Sequence, residues 1–526
     1  MQRAISTRLQ RTLGLMLAGM TVFYASGENS PALAGEQVEA VILTPPAPAT
    51  PRINGAKVFG VRPGHPFLFT IPATGQRPMG FAVDGLPEGL KVDSQTGQIT
   101  GALKEPGQHL VTFRAKNALG QAERKFKIVC GDTLALTPQM GWNSWYIWTD
   151  HVTDKIMREA ADAMVSNGMI DHGYSYVDID DCWAVHMKST DPTYGGQPRD
   201  AQGNVNSNKR FPDMKALADY IHSKGLKAGL YTSPGPQTCG GCMGAYQHEE
   251  QDARQFAAWG FDLLKYDWCS YGTIAPTPDL AAFQKPYRKM GEILKKLDRD
   301  IVLNFCQYGM GDVWRWGREA DGHSWRTAGD LGGPYDKIGV NMFRDGFDLY
   351  GRNALQKYSG PGAWNDPDYL LLGYLANGKG GTSLTPLSPN EQYSHVSLWC
   401  LVTAPLIFSG DLARLDAFTL SLLTNDEVLE VDQDPLGKAA LRIAKTGELE
   451  VWAKDMEGGR KAVGLFNRGD CEAAVTVKWS DLGITGPQIV RDLWRQKDLG
   501  TFDAQFCVPV GRHGVVLVGI KPQPAP

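Results

Sequence analysis

The stretch GFDLLKYDWCSYG, residues 260–272, decides how the chain is read. Its apolar run FDLLKY suits a buried strand, and the run ends on a carboxylate, Asp267, between Tyr266, Trp268 and Cys269. Charged side chains are seldom buried without a partner. The acid therefore either caps the next helix or waits for a ligand, and the surrounding sequence has to choose between the two.

Working outward, similar short apolar runs recur: YSYVDIDDCW, LKAGLYTS, IVLNFCQYG, HSWRTAGD, GAWNDPD and PLIFSGD. Between them lie stretches with helical periodicity, such as DKIMREAADAMVSNG, DMKALADYIHSKG and DLAAFQKPYRKMGEILKKL. Strands alternating with helices indicate parallel βα units. With QMGWNSW counted first there are eight strand candidates, the number a (β/α)8 TIM barrel needs.

Both flanks lose the helices. Upstream, HLVTFRAKN and ERKFKIV alternate with period two between turns such as GLPEGL and SQTGQITG; downstream, LEVWAKDM, KAVGLFN, AAVTVKW and HGVVLVGI do the same. The expected organisation is a signal peptide (1–34), a Pro-rich linker or edge segment (35–51), a small β-sandwich (52–132), the barrel (133–435) and a C-terminal antiparallel β-sandwich (436–526). The class is thus multidomain α/β and β.

At 526 residues the chain exceeds what one core can hold, and its 42% hydrophobic, 21% charged and 10% aromatic content is that of a globular protein. A formal net charge of −4, with both signs interspersed, gives no footprint for nucleic acid or an anionic membrane. At the N-terminus Arg3, Arg8 and Arg11 precede LGLMLAGMTVFYA, and ALA at 32–34 offers a cleavage site. That run falls short of the roughly 20 residues of a spanning helix, so export to the periplasm or the medium is expected. Export permits disulfides, and nine cysteines leave at least one thiol without a partner in the chain.

In such a barrel the active groups lie at the C-terminal ends of the strands. Reading each strand to its end gives Trp142 and Trp145, Asp180 and Asp181, Tyr231, Lys265 and Asp267, Gln307, Arg326 and Asp330, Asp366 and Asp368, and Asp411. A lone Asp after a strand is more often a helix cap. Several acids sharing one rim with Lys, Arg and tryptophans, and with no cofactor motif, fit glycoside hydrolysis instead: one carboxylate attacks or activates water while another protonates the leaving oxygen. No HExxH, P-loop or dinucleotide fingerprint is present, so neither cofactor nor metal is expected. CGGC at 239–242 has redox or zinc spacing but no matching second pair, which favours a disulfide role. Lys265 and Arg326 on the rim speak against a calcium site.

Taken together and in order, MGWNSW (140–145), YVDIDDCW (176–183), LKAGLY (226–231), LLKYDWC (263–269), SWRTAGDL (324–331), GPGAWNDPDYL (360–370), SLWCLVTAPLIFSGDL (397–412) and VDQDPLG (431–437) resemble glycoside hydrolase family 27, the α-galactosidase (melibiase) family. GLPEGLKVDSQTGQITGALKEPGQHLVTFRAKNALG resembles the immunoglobulin-like module attached to many secreted enzymes. The first resemblance implies a retaining mechanism with Asp267 as nucleophile and Asp330 as general acid/base, their carboxyls about 5–5.5 Å apart. It also implies that Asp180 and Asp181 bind the O6 and axial O4 hydroxyls of galactose, that Trp142 stacks on the sugar, and that Lys265 and Arg326 bind hydroxyls on the O3 and O2 side, with Tyr231 on the same rim. Lys265 is expected to lower the pKa of Asp267, whereas Asp330 needs surroundings that raise its own.

The family pattern pairs Cys239 with Cys269. The usual partner of Cys182 is missing, and Cys242 is offered as a substitute; Cys306 and Cys400, in apolar runs, read as buried thiols. Gln307 stands where an acid is expected, and Gln307 and Met310 are too large for an acetamido group, which favours a free 2-hydroxyl. The expected partner is an α-galactoside oligo- or polysaccharide. The rivals are β-L-arabinopyranosidase and α-N-acetylgalactosaminidase activity and, from another class, a non-catalytic carbohydrate-binding protein.

Overall fold

The structure, a computed structural model, describes residues 40–524, so the leader expected over 1–34 lies outside the described residues. Eight strands form the central sheet: β1 (Met140–Asn143), β2 (Tyr176–Asp178), β3 (Lys227–Thr232), β4 (Leu263–Asp267), β5 (Val302–Cys306), β6 (Ser324–Arg326), β7 (Trp364–Asp366) and β8 (Leu406–Phe408). Each pairs in parallel with its neighbour in sequence from β1 to β7, and β8 lies beside β1. The seam between β7 and β8 is closed by Leu370, which bridges to Phe408 and donates its N–H to Ile407 O at 2.8 Å. All eight strands expected from the sequence are present, in a TIM-type barrel.

The helices form where apolar spacing and a cap coincide. In α1 (Asp154–Ser166) the Thr153 side chain accepts from Ile156 N, and Met157, Ala160, Ala161 and Met164 are buried at spacings of three and four. In α2 (Met214–Ser223) Asp213 caps and Met214, Leu217, Ala218 and Ile221 are buried. The Ser388–Glu391 capping box opens α3 (Pro389–Val402), and every residue from Gln392 to Val402 is buried, the polar Gln392, Ser394, His395 and Ser397 included. This helix packs against C-terminal strands Lys461–Asn467 and Val515–Pro522.

Upstream, a four-stranded and a three-stranded sheet enclose an aromatic core in which Phe113 and Phe126 stack at 4.3 Å. Downstream, a six-stranded antiparallel sheet faces the pair Ala473–Lys478 and Gln505–Val510 over Val463, Leu465, Val477 and Phe506. The sequence pattern missed four of the C-terminal strands, among them Gln488–Asp492 and Lys497–Phe502, because a register shift between Val490 and Arg491 interrupts the alternation of their pairing.

The Ig-like module docks on the end of the barrel where the strands begin. Arg62 binds Asp300, just before β5, at 2.7 Å, Thr70 donates to Gly225 O before β3, and Asn54 Nδ2 donates to Asp171 O before β2. A cleft of about 1080 Å³ runs along this seam. Among the described residues no helix is long and apolar enough to cross a membrane.

Candidate active site

At the opposite end, where the strands finish, a cavity of about 340 Å³ is lined by Asp180, Tyr231, Lys265, Asp267, Arg326 and Asp330, joined by Trp145, Tyr146, Cys239, Tyr308, Asp368 and Tyr369. The seam cleft is larger but contains neither Asp267 nor Asp330. The small cavity gathers acids, cations and aromatic rings at the strand ends, where a barrel of this kind works, and chemistry belongs there.

Asp267 closes β4, a strand whose five residues are all buried. Its Oδ2 accepts from the Tyr231 hydroxyl at 3.0 Å, and its Oδ1 from the Tyr308 hydroxyl and Trp268 N, both at 2.7 Å. No helix begins there, so the acid is not a cap. Burial raises its carboxyl above the ordinary value, while Lys265 and the Tyr308 hydrogen bond pull the other way. Lys265 does act in the expected direction, but burial outweighs it and the net shift is upward. Desolvation wins because the Lys265 ammonium is in contact with Asp180, at 2.8 Å, rather than with Asp267.

Asp180 follows β2 and is 2% exposed. Its Oδ2 accepts from Lys265, from Asn143 Nδ2 at 2.9 Å and from the Tyr369 hydroxyl at 3.3 Å. Burial opposes the Lys265 charge, but the adjoining carboxylate outweighs it and raises the lysine pKa. A fixed carboxylate–ammonium pair of this kind offers both an acceptor and a donor to vicinal hydroxyls.

Arg326 closes β6 and its guanidinium is buried. It reaches Asp330 at 3.2 Å, Asp368 at 3.1 Å and Gly329 O at 2.6 Å. Asp368 is fully buried and also accepts from the Tyr146 hydroxyl and Leu331 N, each at 2.7 Å. Its φ of 98° is a left-handed conformation rare for a residue other than glycine, and such outliers gather at working sites. Asp330 stands at the lip of the cavity with its side chain 46% exposed.

Three expected ligands do not line the cavity. Trp142 lies within β1, is 1% exposed and donates its indole N–H to Gly410 O at 2.8 Å, so it belongs to the core; Trp145, three residues on, lines the cavity instead. Gln307 is fully buried and donates to Met310 O at 3.0 Å, bracing the loop from behind, while its neighbour Tyr308 faces inward. Asp181 sits behind Asp180, held by Cys182 N at 2.7 Å and Gly240 N at 2.6 Å, and burial pushes its carboxyl up to about 6. Asp411 is a cap, accepting from Ala413 N.

The structure joins Cys239 to Cys269 in a disulfide and leaves Cys306 and Cys400 as buried thiols. Tyr146, Tyr308 and Tyr369 carry no signal in the linear sequence, because their hydroxyls meet acids 41 to 222 residues away. Among the described residues two clusters place potential metal ligands together, Asp181–Cys182–Cys242 and Cys239–Asp267–Cys269, and the sulfurs of the second are already bonded to each other.

Comparison with known proteins agrees with this geometry. Residues 137–434 match the family model described as alpha galactosidase A, residues 446–520 its C-terminal beta sandwich domain, and residues 50–131 an Ig domain. An α-galactosidase of Coffea arabica is 40% identical over 395 residues, covering 74% of this chain and 95% of its own. The crystal structure of a candidate α-galactosidase/melibiase from Bacteroides fragilis superposes with a TM-score of 0.81 at 34% identity, covering 92% of this chain and 99% of that one. α-Galactosidase I of Mortierella vinacea gives a TM-score of 0.64 at 30% identity, covering 74% and 97%. The chain therefore belongs to the α-galactosidase (melibiase) family of glycoside hydrolases, family 27.

Proposed function

We propose that the protein is a retaining exo-α-galactosidase that removes terminal α-linked galactose by double displacement. The observation that carries this reading is the cavity in which buried Asp267 and lip-standing Asp330 share the wall with the Asp180–Lys265 pair.

Asp267 attacks C1 from the floor while Asp330 passes its proton to the departing oxygen, giving a covalent glycosyl-enzyme. Asp330 then takes a proton from the water that releases the sugar, and Asp267 leaves as the free carboxylate. The Tyr231 and Tyr308 hydroxyls orient the nucleophile's two oxygens. Asp180 and Lys265 receive the O4 and O6 side, Arg326 and Asp368 hold the far rim, and the Trp145 ring covers the apolar face. The cavity is too small for more than a chain end, which makes the action exo. Export by the leader at 1–34 would place the enzyme where plant-type oligo- and polysaccharides are met.

The test is hydrolysis of p-nitrophenyl α-galactoside, β-L-arabinopyranoside and α-N-acetylgalactosaminide side by side. Preference for the first is expected. Preference for another would leave the acid pair standing and overturn the assignment of the sugar.

A further inference from the structure

We propose that Cys182 and Cys242 form a second disulfide, which fastens the CGGC loop to the end of β2 and thereby positions Asp181. The loop follows β3, which lies between β2 and β4. Its first cysteine, Cys239, is already bonded to Cys269 just past β4. Its last, Cys242, has its sulfur within 4.8 Å of both the Cys182 sulfur and an Asp181 oxygen just past β2. One four-residue motif would thus be tied to the strands on both sides.

Both thiols are wholly buried, and both backbones are already fixed. Cys242 is clamped on either side, since Met187 N donates to Gly241 O and Met243 N to Val185 O, each at 3.0 Å. Cys182 holds a left-handed φ of 78° while its carbonyl accepts from Asn208 Nδ2 at 2.8 Å. The two central glycines are what let the loop come this close. A Cβ on Gly240 would stand 2.6 Å from the Cys182 sulfur and 3.0 Å from Asp181 Oδ2, and Gly241 has a φ of +79°. Because Gly240 N and Cys182 N hold the two oxygens of Asp181, a bond from Cys182 to Cys242, two residues past Gly240, fixes that carboxylate.

A metal held by Asp181, Cys182 and Cys242 fits less well. Zinc asks for a fourth ligand; the Tyr194 hydroxyl stands 3.4 Å from the Cys242 sulfur, and the His186 ring beside Gly241 does not converge with the three ligand atoms.

The oxidant is a disulfide-bearing compound met while the chain folds. The Cys242 thiolate attacks one of its sulfurs and releases the first thiol; the Cys182 thiolate then attacks the Cys242 sulfur of the mixed disulfide and releases the second. The protein gives up two protons and two electrons, and the oxidant leaves as two thiols.

The full chain, purified without reductant, is denatured, alkylated, reduced and alkylated with a second, heavier reagent before peptide mass spectrometry. Cys182 and Cys242 should carry only the second label, and in Cys242→Ser the Cys182 peptide should switch to the first while Cys269 keeps the second. First-label alkylation of both in the native sequence, a Cys239–Cys242 link, or stoichiometric bound zinc would overturn the bond. Asp181 reaches the sugar only through Asp180, whose Oδ1 accepts from Asp181 N at 2.9 Å; this part rests on the proposed function, which sets Asp180 on the substrate, and has its own readout. In Cys182→Ser/Cys242→Ser, KM for an aryl α-galactoside should rise severalfold with kcat less affected, and an unchanged KM beside a mapped bond would overturn that part alone.

Discussion

Strand β4 meets one carboxylate at each end, and the two ends of the barrel treat them oppositely. Asp262, just before the strand, accepts from Ala228 N and pairs with Arg299 at 2.6 Å and His222 at 2.8 Å. Burial opposes its charge, yet His222 and Arg299 outweigh it and hold the carboxyl down at about 2. Asp267, at the other end, has three neutral donors and no ion pair among the described residues, and burial lifts it. Asp267 is buried and the Asp262 side chain only 12% exposed, so burial is not the main distinction. What differs is whether a cation is in contact. The lower acid has its charge neutralised for good, and the upper keeps an uncompensated charge where a sugar develops positive charge at C1.

The comparison breaks most readily at Asp267 itself. Asp267→Asn should cut kcat by roughly 10⁴-fold while galactose binding, followed by calorimetry, persists; surviving activity would remove the nucleophile from this position. Asp330→Asn should lower kcat by about 10²–10³-fold, and by less on p-nitrophenyl substrates than on natural oligosaccharides, whose leaving group needs the proton more.

At the lower end the expected effect is on stability. Asp262→Asn should leave Arg299 and His222 without their shared partner and destabilise the fold by on the order of 3 kcal/mol, read by denaturant unfolding. If kcat/KM fell along with it, the division between the two ends would fail.

The smallest effect sharpens the contrast. The proposed mechanism needs Asp267 ionised, so activity should be present above its folded pKa and lost as pH falls through it. The acid limb of kcat/KM should therefore lie above the ordinary aspartate value of 3.8. Tyr308→Phe removes a hydrogen bond that favours the charged form, so that limb should move to higher pH, with a loss of less than about tenfold at neutral pH. A shift to lower pH would mean that Tyr308 does not act on the carboxylate.

The barrel was legible because each strand is a short apolar run closed by polar residues, and the acids could be placed by reading strands to their ends. That rule fails within one turn of chain. Trp142 and Trp145 look equivalent in MGWNSW, and only the pairing of Trp142 with Phe408 shows that it is still inside the strand. Gln307 and Tyr308 present the same ambiguity, since which side chain faces inward depends on the left-handed φ of 64° at Tyr308. The direction of the Asp267 shift was not legible at all. It depends on Lys265 choosing Asp180, a contact across 85 residues. The docking of the Ig-like module is equally hidden, because the Arg62–Asp300 pair spans 238 residues.

The place of that module has a practical side. It grips the approaches to β2, β3 and β5 and leaves the end with the cavity uncovered. An enzyme coupled to a solid support through the module, for instance at the turn where Leu119 is 54% exposed, would present its opening to the liquid rather than to the bead. Orientation on a surface, usually left to chance in random coupling, is here set by the way the chain is assembled.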